Sequence, residues 1–546
     1  MKLDMKKLLI LLFILVIFVK LAGLNGAIYD DESNYAFSIT NADEAGFNPH
    51  YYSPLPMQWL GILFTNLFGA TTFAFRLIPF VISFFTLGLV YLFAKEYYNK
   101  KTALISVFLI LTSFYFTLAS LQIDIEGSLV TLFILATFYC FTKSEKSKKL
   151  NWRILTGIFL AFSLISKHNA IVVVLILGLY ALFKNAKILK TIYDLFVPFA
   201  TGLVIYLLYI ILSFVHDPNH INWLLFGATR TSMSLTLLSP IMFMFWATPL
   251  LIAPALLAIK NRKNKDNIFL FWIIITILFN TFVISKGDFS RYYMHLIPAM
   301  AILGASYLSK IKFRKLDLIK TGILTSVLFM LLYVINSLHI KYVPRITSNY
   351  LSEIKQLSFN FLFSYTTSSG PLFGISFATI VLTLAISSIL VVCIFAAKNQ
   401  KFIKICLVFL LASSIAFNAL LIQEYVFHFQ GTNPSQATYD LVDYFEESNL
   451  NYPVYSNDEG VLFYINNSYW LSNKQQSNVM GLDDYEQDYE DVIETIVRLK
   501  KTNGTVLVLN WPPIPEKSPT WDVVVNCDLE KTFYSKDYKI AMVYSC

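Results

Sequence analysis

The chain is 546 residues long, 56% hydrophobic and only 14% charged, with a mean hydropathy of +0.58. A soluble chain of this size carries about 25% charged residues, so the composition excludes an ordinary soluble enzyme and indicates a polytopic membrane protein. The formal net charge of +8 does not indicate nucleic acid: residues 435–546 hold 18 acidic against 8 basic side chains, the positive balance lies wholly in the hydrophobic part, and there it reports topology.

Apolar runs of roughly 17–25 residues, long enough to cross a bilayer as helices, recur from end to end. They predict thirteen spans, at about 8–24, 73–94, 102–119, 125–142, 152–166, 169–183, 193–214, 237–258, 268–284, 291–309, 320–337, 372–397 and 403–422. The fifth and sixth are short and separated only by Lys167-His168-Asn169, so a re-entrant pair and two tilted spans are both open readings. With the N-terminus in the cytoplasm, Lys2, Lys6, Lys7 and the clusters Lys143–Arg153, Lys260–Lys265, Lys310–Lys320 and Lys398–Lys404 all fall on one side, as the positive-inside rule requires. That orientation puts the first loop, residues 25–72, and everything after the last span outside a cell membrane. The first segment is expected to be retained, because its apolar run is longer than the core of a signal peptide. Lys20 near its outer end is expected to snorkel.

Residues 1–429 therefore form the membrane domain, and the character changes at 430–546. Helical spacing at Tyr439–Glu447 and Tyr489–Lys501, with short apolar runs at Val454–Ser456 and Gly504–Leu509, predicts a small α/β domain on the outer face. Cys527 and Cys546 bracket two strand-like runs there and are candidates for a disulfide. Asn466 and Asn503 begin triplets of the N-glycosylation pattern. No CxxC, HxxxH or HExxH spacing occurs.

Chemistry is sought on the outer side. Asp30-Asp31-Glu32 follows the first span in a loop with no Lys or Arg before Arg76. Three carboxylates at a membrane surface are costly to hold together unless they bind a cation, a polar substrate or a proton. Farther along lie His50, flanked by Pro49 and Pro54, and then Met57–Phe68, which reads as a helix lying in the interface. The second outward loop carries Gln122, Asp124 and Glu126. Alternate acids face opposite ways on a strand and lie about 200° apart on a helix, so only one is expected to share a cavity with Asp31, and Asp124 is favoured as a substrate-positioning group.

In order, Tyr29-Asp30-Asp31-Glu32, Tyr35-Ala36, Pro54-Leu55-Pro56, Leu67-Phe68-Gly69 and Arg76-Leu77-Ile78-Pro79 resemble the start of the protein O-mannosyltransferase and aminoarabinose-transferase group of polytopic, GT-C type glycosyltransferases. Arg291-Tyr292-Tyr293 with Pro298 is similar to that family's Arg-Tyr…Pro pattern, and Lys167 sits where many members carry a Lys. The likeness covers residues 1 to about 310. It implies transfer of a sugar from a polyprenyl- or dolichyl-phosphate carrier to an acceptor outside the cytoplasm, be it lipid, glycan or protein. Asp31-Glu32 matches the family's acidic pair and makes Asp31 the expected general base. His50 is separated from the prolines that follow it, Pro54 and Pro56, so a tight His-Pro-Pro is not reproduced, and the inserted soluble domain of the protein mannosyltransferases is absent from the pattern, so the acceptor is not implied.

The residues suit that chemistry independently. Displacing a lipid phosphate from an anomeric carbon needs a carboxylate within reach of the attacking hydroxyl and cations on the leaving phosphate. The candidate cations are Arg76, Lys167, His168, Arg230, Lys286 and Arg291, with Arg291 and Lys167 foremost; Tyr292 and His50 complete the substrate-binding set. Arg and Lys can handle a leaving phosphate without help, so no cofactor and no essential metal is expected, although a divalent metal could take part in principle. Against this stand simpler readings: Asp31 as the cap of a helix starting near Ser33, and Arg76 and Arg291 as snorkelling side chains. A transporter or flippase would show paired Gly/Pro-broken helices in matching halves, and no such repeat is found. An oligosaccharyltransferase would carry a Trp-Trp-Asp motif, for which Trp521-Asp522 is insufficient.

Overall fold

The computed structural model describes the chain except residues 1–4, 30, 46–54, 186, 217–237, 261–265, 284–289, 339–351, 360, 366–372, 429, 431–432, 449–453, 459, 466–478, 482–503, 511–518, 526 and 536–537. His50, Arg230, Lys286, the triplets at Asn466 and Asn503, and the expected helix Tyr489–Lys501 lie outside the described residues.

The chain is mostly helical. In order come α1 (Met5–Gly23), α2 (Asp31–Ala45), α3 (Leu55–Phe68), α4 (Thr72–Tyr97), α5 (Lys100–Leu111), α6 (Phe114–Leu121), a π-helical turn (Glu126–Val130), α7 (Thr131–Ser147), α8 (Leu150–Ser166), a 3-10 turn (His168–Ile171), α9 (Val172–Asn185) and α10 (Ile188–His216). Then follow α11 (Leu238–Lys260), α12 (Asn267–Phe282), a 3-10 turn (Ser290–Tyr293), α13 (Leu296–Leu308), α14 (Lys315–Ser337), α15 (Phe377–Ala396) and α16 (Gln400–Phe427). Among the described residues, seven helices are long and apolar enough to cross a membrane, up to eight if the α5–α6 pair, bent by 67°, is one span. This is a multi-pass membrane protein. Helix starts follow ordinary capping rules: Thr71, Asn99 and Ser113 accept from the backbone N–H groups of Ala74, Thr102 and Phe116 at the starts of α4, α5 and α6. Residues 57–68, expected as an interfacial helix, lie in α3, whose Met57, Gln58 and Gly61 are buried while Trp59, Leu63 and Leu67 are exposed.

The chain divides into two compact units. The first comprises Met1–Leu24, Ser38–Met330 and Thr383–Ile422; the second comprises Asn25–Phe37, Leu331–Leu382 and Gln423–Cys546. In the first unit, α5 is packed against α4 and α13, and α8 against α7 and α10.

The second unit holds the expected α/β domain. Helix α17 (Pro434–Glu447) precedes strands β3 (Val454–Ser456), β4 (Val479–Gly481) and β5 (Thr505–Leu509), a short helix α18 (Pro519–Val524), and strands β6 (Asp528–Ser535) and β7 (Tyr538–Ser545), in the sheet order β4-β3-β5-β7-β6. β3 runs parallel to β4 and β5; β7 is antiparallel to β5 and β6. A separate antiparallel pair, β1 (Leu362–Tyr365) and β2 (Phe373–Ser376), belongs to the same unit. Every residue of β5 is buried because side chains alternate between two covered faces. Leu507 and Leu509 join Leu441 and Phe445 of α17, whereas Val506 and Val508 join Val523 and Val524 of α18. Cys527 and Cys546 are disulfide-bonded, with Cα atoms 4.4 Å apart.

Candidate functional site

The second outward loop is built by side chains standing in for regular backbone bonding. Helix α6 stops at Gln122, which is extended (φ −82°, ψ 130°), and the Asp124 N–H turns back to the Gln122 carbonyl at 2.9 Å. The Asp124 carboxylate accepts the Glu126 N–H at 2.8 Å, an Asx-type turn, while Ser128 Oγ donates to the Asp124 carbonyl. One π turn follows, closed by Val130 N–H on the Ile125 carbonyl at 2.9 Å and by Thr131 Oγ1 on the Glu126 carbonyl at 2.7 Å. Single π turns inside helices are frequent at functional sites. Gly127 lets the turn come close: a Cβ there would lie 2.8 Å from Ala119 Cβ and 2.9 Å from Met294 Sδ.

Two cations meet this loop from distant helix ends. Lys167 closes α8, its N–H on the Ser163 carbonyl at 3.0 Å, and then leaves the helical conformation (φ −159°, ψ 130°). Arg291 lies in the 3-10 turn before α13, which Asn280 holds by donating Nδ2–H to the Tyr292 carbonyl at 3.1 Å. Lys167 Nζ is 2.5 Å from Glu126 Oε1; Arg291 Nη1 is 3.6 Å from Asp124 Oδ2, and its Nε is 3.8 Å from Glu126 Oε1. The Tyr292 ring lies 5.2 Å from Lys167 Nζ and 6.0 Å from the Arg291 guanidinium carbon. Asp124, Glu126, Lys167, Arg291 and Tyr292, scattered over 169 positions, thus form one group.

Between Asp124 and Glu126 the backbone is neither a regular strand nor a regular helix. Both carboxylates, not one alone as expected, approach Arg291, because the backbone between them is a turn. Glu126 is the residue that sequence periodicity undervalued. The signal available was its occurrence in an acidic pair ahead of a Gly-Ser dipeptide.

All four charged side chains are nearly sealed, with exposures of 2% for Asp124 and Glu126, 5% for Arg291 and 8% for Lys167. Desolvating such groups is only partly repaid by their mutual attraction, and a buried ion pair is often no more stabilising than apolar side chains of the same volume. Stability is therefore a poor explanation for the quartet, and clusters of this kind are concentrated at functional sites. Burial first, and then the neighbouring Glu126 carboxylate, hold the Asp124 carboxyl well above the usual carboxylate range. Chemically the arrangement can hold a phosphate against a guanidinium and an ammonium whose positions are set by carboxylates.

Arg76 is buried at the edge of the same loop and donates to the carbonyl of Leu121, the last residue of α6. Neither Arg76 nor Arg291 snorkels; both are at most 5% exposed. Lys20 does not snorkel either: it is 1% exposed, with Nζ 3.4 Å from the Phe116 ring centre, so α6 covers what the sequence alone left at the membrane surface.

The acidic pair of the first loop belongs to the second unit. Asp31, expected to cap a helix starting near Ser33, is instead the first residue of α2; its side chain lies outside the described set. Glu32 is fully buried and reaches back, its Oε2 accepting the Tyr29 N–H at 3.2 Å while its own N–H donates to the Tyr29 carbonyl at 2.9 Å. The side-chain bond is one half of a helix-capping box, and a backbone turn bond stands in place of the other half. Among the described residues no group of three or more His, Cys, Asp or Glu side chains is arranged to hold a metal.

Residues 52–216 match the family model described as dolichyl-phosphate-mannose-protein mannosyltransferase. Over nearly the whole chain the fold is that of ArnT from Cupriavidus metallidurans. The apo crystal structure superposes with a TM-score of 0.65 at 14% identity, covering 99% of this chain and 98% of that one. The same protein bound to undecaprenyl phosphate gives 0.62 at 14% identity over 98% and 97%. No curated protein sequence matches. The chain is thus similar to polytopic mannosyltransferases in sequence over its third to tenth helices, and to an ArnT-type glycosyltransferase in fold throughout.

Proposed function

We propose that this chain is a membrane glycosyltransferase that moves a sugar from a polyprenyl- or dolichyl-phosphate carrier to an acceptor outside the cytoplasm. The observation that carries the reading is the sealed group of Asp124, Glu126, Lys167 and Arg291, set in helical loops of a chain with the ArnT fold. One crystal structure of that fold contains undecaprenyl phosphate, which supports a polyprenyl-phosphate donor here.

In this reading Lys167 and Arg291 bind the carrier phosphate and stabilise the charge it gains on leaving. Asp124 and Glu126 hold the two cations in advance, so that little reorganisation accompanies the reaction. The acceptor oxygen forms a bond to the anomeric carbon as the bond from that carbon to the phosphate oxygen breaks. The electron pair goes to the phosphate, and the acceptor proton goes to the Asp31 carboxylate. Glu32 is assigned to hold the turn that starts α2, leaving Asp31 as the base. His50 remains a substrate-binding candidate.

The reading includes thirteen crossings, with the N-terminus in the cytoplasm and the region after α16 outside. Each expected span overlaps one of the seven long apolar helices, the bent α5–α6 pair, or the shorter apolar helices Leu9–Gly23, Leu150–Ser166, Ala247–Lys260, Asn267–Phe282 and Leu296–Leu308, which supports this count. Membranes containing the protein, incubated with a panel of labelled polyprenyl-phosphate sugars, test the function. Transfer of label from one of them to a new product supports it; translocation of an intact lipid-linked sugar with no transfer would instead identify a flippase.

A further inference from the structure

The first-loop segment that carries Asp31 is part of the core of the C-terminal domain. Tyr439 OH donates to the Asn25 carbonyl at 3.0 Å, the Ala27 N–H donates to Ser435 Oγ at 3.1 Å, and the Ile28 N–H donates to Tyr464 OH at 2.8 Å. These partners lie 408 to 436 positions away in sequence. Ala27 and Tyr29 belong to the same buried cluster as Ala437, Leu441, Val454 and Val461, and the Tyr29 hydroxyl faces Ser435 and Thr438. Gly460 passes so near that a Cβ there would lie 2.1 Å from the Ile28 carbonyl oxygen. Beyond the motif, Phe37 packs edge-on against Phe463, ring centres 4.9 Å apart.

The segment is therefore gripped on both sides of Asp31. The bonds before it join backbone groups to side-chain hydroxyls rather than running along a strand ladder, so its position depends on which side chains the distant domain presents. Ordering a polar loop against a core costs conformational entropy, and a catalytic group gains from such ordering because a shift of about 1 Å can cost about 100-fold in rate.

We infer that Tyr464, Ser435 and Gly460 are positioning residues for Asp31, which makes the C-terminal domain a working part of the transfer machinery. This rests on the reading of Asp31 as the proton acceptor. Tyr464→Phe in the full-length protein removes the acceptor of the Ile28 N–H and keeps the ring. Turnover of a labelled undecaprenyl-phosphate sugar is expected to fall about tenfold, with the donor KM held within about twofold and amide exchange of residues 27–32 accelerated. Ser435→Ala, a smaller change, is expected to move both readouts the same way by less. In an Asp31→Asn background Tyr464→Phe should cost nothing further, because the two changes act on one group. Full activity of Asp31→Asn would overturn the assignment of the base and the positioning role with it. An inactive Asp31→Asn beside wild-type turnover in Tyr464→Phe and Ser435→Ala would overturn the positioning role alone. Equal losses from Tyr464→Phe with and without Asp31 would reduce it to general destabilisation.

Discussion

Replacing Arg291 by alanine separates its contacts with two carboxylates from the phosphate-binding role proposed for it. The side chain is 5% exposed and approaches Asp124 at 3.6 Å and Glu126 at 3.8 Å, so its loss leaves two buried carboxylates facing a single ammonium, Lys167. An uncompensated buried charge costs about 3–5 kcal/mol, and a lower melting temperature is expected for that reason alone. The second loss is to the donor. A charge-assisted hydrogen bond to a phosphate is worth about 1.5–3 kcal/mol, and each 1.4 kcal/mol is about tenfold in affinity, so the Kd for undecaprenyl phosphate should rise roughly 10- to 150-fold. The double variant Arg291→Ala, Asp124→Asn removes one charge of each sign. Its melting temperature should recover most of the way toward wild type while donor affinity stays weak. Arg291→Lys should recover part of the affinity only, because one ammonium cannot reproduce a two-pronged guanidinium. Binding measured by fluorescence quenching in nanodiscs, beside thermal melting of the same samples, reads both quantities. Wild-type donor affinity in Arg291→Ala, or restored affinity in the double variant, would refute the phosphate role and leave Arg291 as a structural counter-ion.

Asp31→Asn is expected to lower turnover by about 10²–10⁴-fold, the usual contribution of a positioned general base, with undecaprenyl phosphate binding unchanged; wild-type transfer would move the role to another group. Cysteines introduced at the exposed positions Asn25 and Glu446 should both react with an impermeant maleimide added outside intact cells, and protection of either would break the assigned topology. Chelation with EDTA should leave the transfer rate within about twofold, since Arg and Lys can neutralise a leaving phosphate; loss of activity restored by a divalent ion would add a metal to the reaction.

How much of this could be read from residues alone depends on the kind of constraint each feature obeys. A bilayer demands that every crossing segment satisfy its backbone internally and present apolar side chains. That demand is local, so composition and run length determined the helices, and the periodic runs at Val454–Ser456 and Thr505–Leu509 likewise marked strands. Asp124, Lys167, Arg291 and Tyr292 were nominated from their residue types at helix ends and from family resemblance. Their convergence was not legible, because it depends on how α6, α8 and α13 end against one another. Whether Glu126 joins Asp124 is decided by a turn at residues 122–126 that has neither helical nor strand period. Lys20 and Arg76 illustrate the same limit: near the end of an apolar run the sequence predicts a snorkelling cation, but burial is set by a neighbouring helix. The first loop is the clearest case. Its acidic motif stands out in the sequence, yet only tertiary structure joined residues 25–37 to partners more than 400 positions away, since a hydrogen bond from a loop N–H to a tyrosine hydroxyl leaves no periodic mark in either segment.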